Sequence, residues 1–317
     1  MLVVPERMIA GLMGPDEAFD AVSAVFRQMA TDRARNFPVV REALGGGRQY
    51  GFKSGIDANA LGVKAGGYFP GNAGRGIINH QSTVFLFDPE TGVLEAAVGG
   101  NLLTALRTAA ASAISIDALA RHDARVLGLV GAGHQAAFQL RAAARVRDFE
   151  RVIAWNLHPE MLPRLGAVAA ELELPFEAVR LERMVEADVI VTITSAPAFS
   201  LAAAHVGPGT HLACMGTDTV GKQEVEPALL ARARVFADEV AQSISLGEAQ
   251  HAVAAGLLEA AAITPLGEVL TGAAQGRRAA DEITLFDGTG VGLQDIAVAA
   301  RVLDLARAKG LAIPVEI

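Results

Sequence analysis

The sequence predicts an α/β protein whose central part is a parallel sheet covered by helices on both faces. From residue 125 onwards, helical segments alternate with apolar runs typical of strands, which are VLGLV, RVIAWN, ADVIVTIT, THLACM and ARVFAD. This alternation is typical of βαβ units. The chain has 317 residues, of which 51% are hydrophobic, so it is long enough for two domains, each with a core.

The remaining elements follow from periodicity and turn residues. Residues Pro15 to Arg33 have the apolar spacing of a helix. Between residues 37 and 98, short β-type runs separated by glycine-rich turns predict a sheet made partly of hairpins. Leu103 to Ala120 predicts a long helix. Near the end of the chain we expect a loop at LFDGTGVG and a last helix from Asp295 to Lys309.

Composition narrows the class of protein. The net charge of −8 and the pI near 5.4 do not indicate nucleic-acid binding. The longest uncharged run, between Asp188 and Asp218, is interrupted by proline and glycine, so we expect no membrane span there. The first residues are acidic where a signal peptide is basic, and the single cysteine, Cys214, cannot form an internal disulfide. We therefore expect a soluble, cytoplasmic protein.

The segment VLGLVGAGHQA carries the pattern Gly131-x-Gly133-x-x-Ala136 between a strand and a helix. The first glycine permits a tight turn, the second allows the backbone to approach a pyrophosphate, and the small third residue allows close packing. Amides at the start of the helix would then bind phosphate. A tight turn without a ligand uses the same glycines, but the βαβ context favours a Rossmann dinucleotide-binding domain.

The end of the second strand bears on which dinucleotide binds. An acidic residue there would bind the ribose diol of NAD, whereas an arginine would favour the phosphate of NADP. The chain has Asn156 followed by Leu157. An amide can bond a ribose hydroxyl and no fixed positive charge follows, so we expect NAD. The alternative is that Asn156 only caps the strand end.

Three cations lie in unusual sequence contexts. Lys64 lies within the apolar run LGVKAGGYF, and Arg107 is the only charge between Glu95 and Asp117. Arg41 precedes a glycine-rich turn. Together they supply the donors that a carboxylate needs. The alternatives are an edge position for Lys64, an exposed helix position for Arg107 and a solvated loop for Arg41.

Asp218 follows a predicted parallel strand, in the segment CMGTDTVGKQE. Ligands of open α/β sheets bind beyond the carboxyl ends of the strands, so an acid here could contact a cationic substrate nitrogen. The alternative is that Asp218 caps a helix over Thr219 to Glu224.

Five segments, in this order and spacing, resemble the ornithine cyclodeaminase/mu-crystallin family. The resemblance implies a substrate-binding and dimerisation domain over residues 1–118 and 290–317, with an NAD-binding Rossmann domain at 119–289 inserted into it. It also implies a homodimer. The segments are GVKAGGYFPGN, LRTAAASA, VGAGHQA, MGTDTVGKQEV and DEITLFDGTGVGLQDIAVA.

The resemblance also implies roles for individual residues. Arg41, Lys64 and Arg107 match residues that bind the substrate α-carboxylate, and Asp218 matches the catalytic acid. We take Lys64 and Asp218 as the expected catalytic residues. NADP-using members typically place an arginine after the asparagine of the second strand. The expected cofactor-binding residues are Thr108, Gly131, Gly133, His134, Gln135, Asn156, Thr194, Ser195, Met215, Thr289 and Gly290.

Members of the family share hydride transfer between nicotinamide and a carbon that carries nitrogen and a carboxylate. This step requires no metal, and the seven histidines show no ligand spacing. Additional cations or donors suit a second carboxylate, although each has the alternative of a solvated loop position; they are Arg48, Lys53, Arg75, His80 and His134.

Arg48 and Lys53 are therefore expected to bind substrate. Within the family, these additional cations and the NAD prediction resemble the iminosuccinate reductases. This resemblance implies an NAD-dependent imine reductase that converts iminosuccinate to L-aspartate. The alternatives are an ornithine cyclodeaminase, an alanine dehydrogenase, or a crystallin-like NAD(P)-binding protein without activity. Retention of Lys64, Arg107 and Asp218 argues against the last.

Overall fold

A computed structural model of the chain describes residues 1–316 and divides into two compact units. The first unit comprises Met1–Arg107 and the chain from Val291 onwards, and the second comprises Thr108–Gly290. The boundaries expected from the sequence follow residues 118 and 289. The division after Arg107 instead falls inside a helix, Asn101–Leu119, which begins in the first unit and ends in the second.

The described part of the first unit is built on one eight-stranded sheet. Its strands are β1 (Leu2–Val4), β2 (Arg35–Asn36), β3 (Val40–Gly45), β4 (Arg48–Ile56), β5 (Leu61–Tyr68), β6 (His80–Phe87), β7 (Leu94–Gly99) and β16 (Ile313–Pro314). The order is β16-β1-β7-β6-β5-β4-β2, and β3 also pairs with β4. Neighbouring strands are antiparallel except β1 and β7, which confirms the predicted hairpins.

Helices of the first unit are α1 (Glu6–Ile9), α2 (Pro15–Met29), the beginning of α3 (Asn101–Leu119) and α10 (Gly292–Ala308). Helix α10 packs on α2 and against strands β4, β5 and β6. Its buried side is mostly apolar, with Leu293, Ile296 and Val302 fully buried. The helix therefore covers one face of the central strands, which brings its first turn to β4 and β5.

The second unit is a doubly wound parallel sheet. Its strands are β8 (Val126–Val130), β9 (Arg151–Trp155), β10 (Phe176–Ala178), β11 (Val189–Thr192), β12 (His211–Cys214), β13 (Arg234–Ala237), β14 (Thr264–Pro265) and β15 (Thr284–Asp287). They lie in the order β10-β9-β8-β11-β12-β15-β13-β14, and all pairs are parallel. The chain order reverses between β8 and β11, which is where such sheets bind ligands.

Six further helices lie in the second unit, namely α4 (Ala136–Val146), α5 (Leu162–Glu171), α6 (Pro227–Arg232), α7 (Val240–Leu246), α8 (Gln250–Ala254) and α9 (Leu266–Thr271). Its central strands are almost entirely buried, as expected for a parallel sheet with both faces covered; they are β8, β11, β12 and β15. The predicted α/β class with a Rossmann domain is thus confirmed.

One predicted element is wrong. The segment LFDGTGVG was expected to be a loop, but Leu285–Asp287 belong to β15, which lies between β12 and β13 inside the sheet. The strand has only four residues and leads into glycine-rich sequence, so the turn residues dominate the local pattern. The final helix begins at Gly292, slightly before the predicted Asp295.

Helix α3 is long and apolar enough by composition to cross a membrane, and no other helix among residues 1–316 is. In the structure, 83% of its most apolar segment is buried inside the protein. The alanine-rich sequence therefore serves as a core helix, which is the usual structural context for a helix apolar on all sides.

Candidate functional site

A cluster of buried charges lies on the face of the first sheet that α10 covers. Lys64 on β5 and Lys53 on β4 are direct cross-strand neighbours, and they are 6% and 7% exposed. Arg107 on α3 is 6% exposed, and Asp295 in the first turn of α10 is fully buried. The distance from Lys64 Nζ to Asp295 Oδ2 is 2.9 Å, and that from Arg107 Nε to Asp295 Oδ1 is 3.0 Å.

Within this cluster of buried charges, Asp295 orients Lys64 and Arg107. Burial alone would raise the pKa of Asp295, but Arg107 and Lys64 outweigh it and hold the pKa at about 2, so the carboxyl is ionised at neutral pH. Arg107 also donates to Gln294 Oε1 at 3.1 Å, and Lys64 donates to Thr104 Oγ1 at 3.4 Å. A guanidinium and an ammonium fixed by one carboxylate are a suitable arrangement for binding an anion.

The burial of these residues excludes two alternatives. Lys64 does not lie at a sheet edge, because β5 is flanked by β4 and β6. Arg107 does not occupy an exposed helix position, because it is nine-tenths buried.

His80, at the start of β6, is half-buried, and burial and the charge of Lys64 lower its pKa to about 3. It therefore adds a neutral imidazole to this region of the unit and not a positive charge.

The remaining predicted cations lie on the β3–β4 hairpin and the segment after β5. Arg41 is half-buried on β3, so it does not lie in the loop that the alternative assumed. Arg48 is exposed, and its guanidinium donates to the carbonyls of Gly45 at 3.0 Å and Leu44 at 2.8 Å within the hairpin. Arg75 is exposed in a helical turn.

In the second unit, the glycine loop (Gly131–Gln135) joins β8 to α4. Gly131 has a φ of 114°, and a Cβ there would lie 2.6 Å from the carbonyl oxygen of Ile193, so only glycine fits. A Cβ at Gly133 would meet no atom within 4 Å, so the backbone is open to a ligand at this point. The loop thus meets the requirements of a dinucleotide site, namely a tight turn and an accessible backbone before a helix.

Asn156, after β9, supports this loop. Its Oδ1 accepts a hydrogen bond from the Ala132 amide at 3.1 Å, and its Nδ2 donates to the carbonyl of His158 at 2.8 Å. The structure therefore gives Asn156 the local capping contacts of the alternative, and its contact with a ribose stays a prediction. Leu157 beside it is 74% exposed.

Two other predicted contacts of the loop differ in environment. His134 is exposed, and its ring lies 5.5 Å from the ring of Phe138 in a tilted arrangement. Gln135 directly precedes α4, and its Oε1 is buried without a hydrogen-bond partner among the described residues.

Other predicted cofactor residues lie where neighbouring parallel strands end. Thr194 and Ser195 follow β11, Met215 follows β12, and Thr289 and Gly290 follow β15. The described structure thus brings them to one edge of the sheet, beside the glycine loop that follows β8. Thr108, also in the second unit, is buried on α3.

Asp218 lies in a turn after β12. Its Oδ1 accepts hydrogen bonds from Lys222 Nζ at 3.1 Å and from Thr219 Oγ1 at 3.2 Å, and its side chain is 35% exposed. No helix starts here, so the alternative of a helix cap over Thr219 to Glu224 is wrong. The Lys222 ammonium also donates to the carbonyl of Gly216 at 3.1 Å, which ties the acid to the turn.

Sequence reasoning missed several residues that organise these two regions. Asp295 is the only charge between Asp287 and Arg301, the same signal that singled out Arg107. Asp238 was also missed: its carboxylate accepts hydrogen bonds from Thr289 Oγ1 and from the amide of Gly290, each at 2.7 Å. Lys222 lies four positions after Asp218 in a motif that drew attention only for its acid.

Comparisons with known proteins give matches over nearly the whole chain. A model of the ornithine cyclodeaminase/mu-crystallin family matches residues 8–310. The iminosuccinate reductase of Paracoccus denitrificans (strain Pd 1222) is 63% identical over 321 aligned residues, which cover 100% of both chains.

Two solved structures are similar over nearly their whole length. The crystal structure of the iminosuccinate reductase of Paracoccus denitrificans in complex with NAD+ matches with a TM-score of 0.95 and 63% identity, covering 100% of this chain and 99% of that one. An archaeal alanine dehydrogenase dimer with bound NAD matches with a TM-score of 0.95 and 30% identity, at the same coverage.

Proposed function

Because the chain belongs to the ornithine cyclodeaminase/mu-crystallin family, we propose that it is an NAD-dependent imine reductase that reduces iminosuccinate to L-aspartate. The observation that carries this proposal is the pair of buried cations, Lys64 and Arg107, held on the two oxygens of Asp295. The similarity to the iminosuccinate reductase of Paracoccus denitrificans supports the choice of substrate.

Lys64 and Arg107 are assigned to the α-carboxylate of the substrate. A guanidinium offers a planar fork of donors and an ammonium offers a compact charge, so the two together fix the position of a carboxylate. Lys53, the cross-strand neighbour of Lys64, is assigned to the second carboxylate. This third buried cation favours a dicarboxylic imine over the imine of alanine.

Asp218 is assigned to the substrate nitrogen. An anion beside an imine nitrogen favours its protonated form, and the resulting iminium carbon accepts a hydride more readily. The proton stays on nitrogen, so hydride addition gives a neutral amine. This amine takes a second proton from solvent, and the same carboxylate stabilises the resulting ammonium group of the amino acid. Lys222 and Thr219 hold the Asp218 carboxylate in place for this role.

The cofactor is assigned to the glycine loop, with Gly131 and Gly133 at the phosphates and Asn156 at the ribose. When bound, NADH supplies the hydride. We assign NAD and not NADP because Leu157, an apolar residue, follows Asn156 where a cation would bind the additional phosphate. The open backbone at Gly133 and the start of α4 provide the amides for the pyrophosphate.

The test is an assay of the purified protein with NADH, ammonia and oxaloacetate, which form iminosuccinate in solution. We expect NADH oxidation and formation of L-aspartate, and no oxidation when ammonia is omitted. Turnover on pyruvate with ammonia in its place would identify an alanine dehydrogenase. Release of ammonia from ornithine without net change in NADH would identify a cyclodeaminase, and NADH binding without any turnover would identify a binding protein.

We also propose that the protein is a homodimer formed through the face of the first sheet opposite α10. The aromatic side chains of Tyr50 and Phe52 on β4 are 39% and 41% exposed there, with their rings in edge contact at 5.5 Å, and Val40 on β3 is 47% exposed. Exposed apolar patches of this kind mark interaction sites. The alanine dehydrogenase relative, which is a dimer, supports a second copy as the partner.

Light scattering coupled to size-exclusion chromatography tests the dimer. We expect a mass twice the 32.9 kDa of one chain for the unmodified protein, and the mass of one chain for Phe52→Lys. The matched control is Val220→Lys, a change at an exposed apolar residue in the second unit. A monomeric unmodified protein, or a dimeric Phe52→Lys variant, would contradict the proposal.

A cytoplasmic location is proposed as well. The free thiol of Cys214, the only cysteine of the chain, is compatible with a reducing compartment. Cell fractionation is expected to recover the protein with soluble cytoplasmic markers; recovery with the membrane or periplasmic fraction would contradict this.

A further inference from the structure

Three buried acids of the second unit lie behind the turn that carries Asp218. Glu224, Glu248 and Asp287 are at most 2% exposed. Asp287 ends β15, Glu224 follows the turn after β12, and Glu248 lies between α7 and α8. Their oxygens accept hydrogen bonds mainly from amides and hydroxyls. These contacts indicate that the three acids hold the backbone and do not bind a metal ion.

Glu224 binds donors that fix its protonation state. Its Oε1 accepts hydrogen bonds from the amide of Thr194 at 2.6 Å and from its hydroxyl at 2.9 Å. Its Oε2 accepts from the amide of Gly216 and from Thr192 Oγ1, both at 2.7 Å. Each oxygen accepts a short hydrogen bond from an amide, which can only donate, and a proton on that oxygen would weaken this contact. Burial raises the pKa of Glu224, and these hydrogen bonds oppose that rise by favouring the ionised form.

Glu248 has a different set of partners. Its Oε1 accepts hydrogen bonds from the amides of Glu224 at 2.9 Å and Val225 at 2.8 Å. The shortest contact of Oε2 is with the hydroxyl of Thr217 at 2.5 Å, and the amide of Glu224 is further away at 3.1 Å. A hydroxyl can accept as well as donate. Glu248 can therefore carry a proton on Oε2 and keep all its strong contacts.

The charge of Glu224 also favours a proton on Glu248. Two adjacent buried carboxylates cannot both ionise without a large cost. Burial and the charge of Glu224 raise the pKa of Glu248 to about 8. Other titratable groups that interact with Glu248 include Asp287, whose charge acts in the same direction, and the buried thiol of Cys214.

We propose that Glu248 is a positioning residue for Asp218, acting as a neutral acid that holds Thr217 directly and Gly216 through Glu224. Gly216 and Thr217 immediately precede Asp218, so both of their contacts set the direction in which the chain enters the turn. The inference rests on the proposed role of Asp218 in the reaction. It adds that the ionisation of Glu248 at high pH disturbs the turn and lowers the rate.

Two substitutions separate this role from a general structural one. Glu248→Gln keeps an oxygen for the two amides and offers an N–H to Thr217, so it imitates the neutral acid and should keep kcat near that of the unmodified enzyme. Glu248→Ala should lower kcat at least about tenfold, through misplacement of Asp218, with little change in the Kd of NADH. Glu224→Gln should also lower kcat, because its amide group would face a backbone N–H.

The pH dependence gives the sharper comparison. Between about pH 7 and pH 9, the unmodified enzyme should lose activity as Glu248 ionises, and Glu248→Gln should lose clearly less. If Glu248→Gln lowers kcat as much as Glu224→Gln does, or follows the same alkaline profile as the unmodified enzyme, the proposal is overturned.

A measurement without substrate distinguishes this failure from failure of the proposed function. The thermal midpoint of the unmodified protein should fall more steeply between about pH 5 and pH 8 than that of Glu248→Gln, because the unfolded chain loses the Glu248 proton in this range while the folded protein keeps it. Glu259→Gln, a change at an exposed carboxyl, is the matched control and should follow the unmodified protein. Identical curves for all three proteins would overturn the neutral state of Glu248 whatever the enzyme reduces.

Discussion

Asp218 combines partial exposure with two hydrogen bonds that hold its carboxylate, from Lys222 and Thr219. If it favours the protonated imine, Asp218→Asn removes the negative charge and keeps the shape of the side chain. We expect kcat to fall about 100-fold, within the usual range for a positioned acid or base. The Kd of NADH, measured by fluorescence titration, should stay unchanged. Asp304→Asn, at an exposed position of α10, is the control. Full activity of Asp218→Asn would remove this mechanism.

For Asp295 we expect changes in both stability and substrate binding, because it contacts Lys64 and Arg107 inside the protein. Asp295→Asn leaves Lys64 and Arg107 buried without their carboxylate, and breaking a buried ion pair in this way costs about 3 kcal/mol. We expect the free energy of unfolding in urea to fall by that order, and KM for the imine to rise at least about tenfold as the two cations lose their orientation. An unchanged KM would show that Asp295 does not orient them for substrate.

The same residues show what sequence can predict at this scale. Lys64 and Arg107 attract attention because a charge within an apolar segment needs a partner. The partner, Asp295, has the same signature, but 188 positions and the whole second unit separate it from Arg107 in the chain. No local pattern connects the two. Only the packing of α10 on the sheet brings them together.

At the scale of elements, the end of β9 makes the choice of cofactor testable. Leu157 follows Asn156 and is 74% exposed, so a longer polar side chain fits there without repacking. Leu157→Arg would place a guanidinium where the additional phosphate of NADP binds. We expect KM for NADPH to fall at least about tenfold, with NADH still used. Leu157→Gln, which adds length without charge, should bring no such gain; an equal gain from both variants would contradict the electrostatic explanation.

Elements were predictable where their signal is local. The glycine loop and five strands, β8, β9, β11, β12 and β13, follow from apolar runs and turn residues within the segments themselves. The strand β15 does not, because four residues before a glycine-rich turn give no reliable period. Its place depends on pairing with β12 and β13, which are distant in sequence. The turn at Asp218 likewise depends on Glu224 and Glu248 and not on its own sequence.

For the whole molecule, buried titratable groups determine how stability depends on pH. Burial lowers the pKa of His80 and His211 from 6.5 to about 3. As pH falls, the unfolded chain therefore binds these two protons at a higher pH than the folded chain does, and stability decreases below about pH 6.5. Burial raises the pKa of Asp287 from 3.8 to about 7 and that of Glu248 from 4.5 to about 8. The folded chain keeps these protons longer, so stability falls as pH rises through this range.

Between about pH 4.5 and 6.5 the two histidines and the two acids offset each other, so the thermal midpoint should be flat there and fall on either side. Single substitutions should tilt this plateau in opposite directions. In His211→Gln, the effect of the two acids on stability exceeds that of the remaining histidine, so the thermal midpoint should be higher at the acidic end. In Glu248→Gln, the effect of the two histidines exceeds that of the remaining acid, so the thermal midpoint should be higher at the neutral end. Calorimetry across this range tests both, and the same slope in both variants would contradict the assigned protonation states.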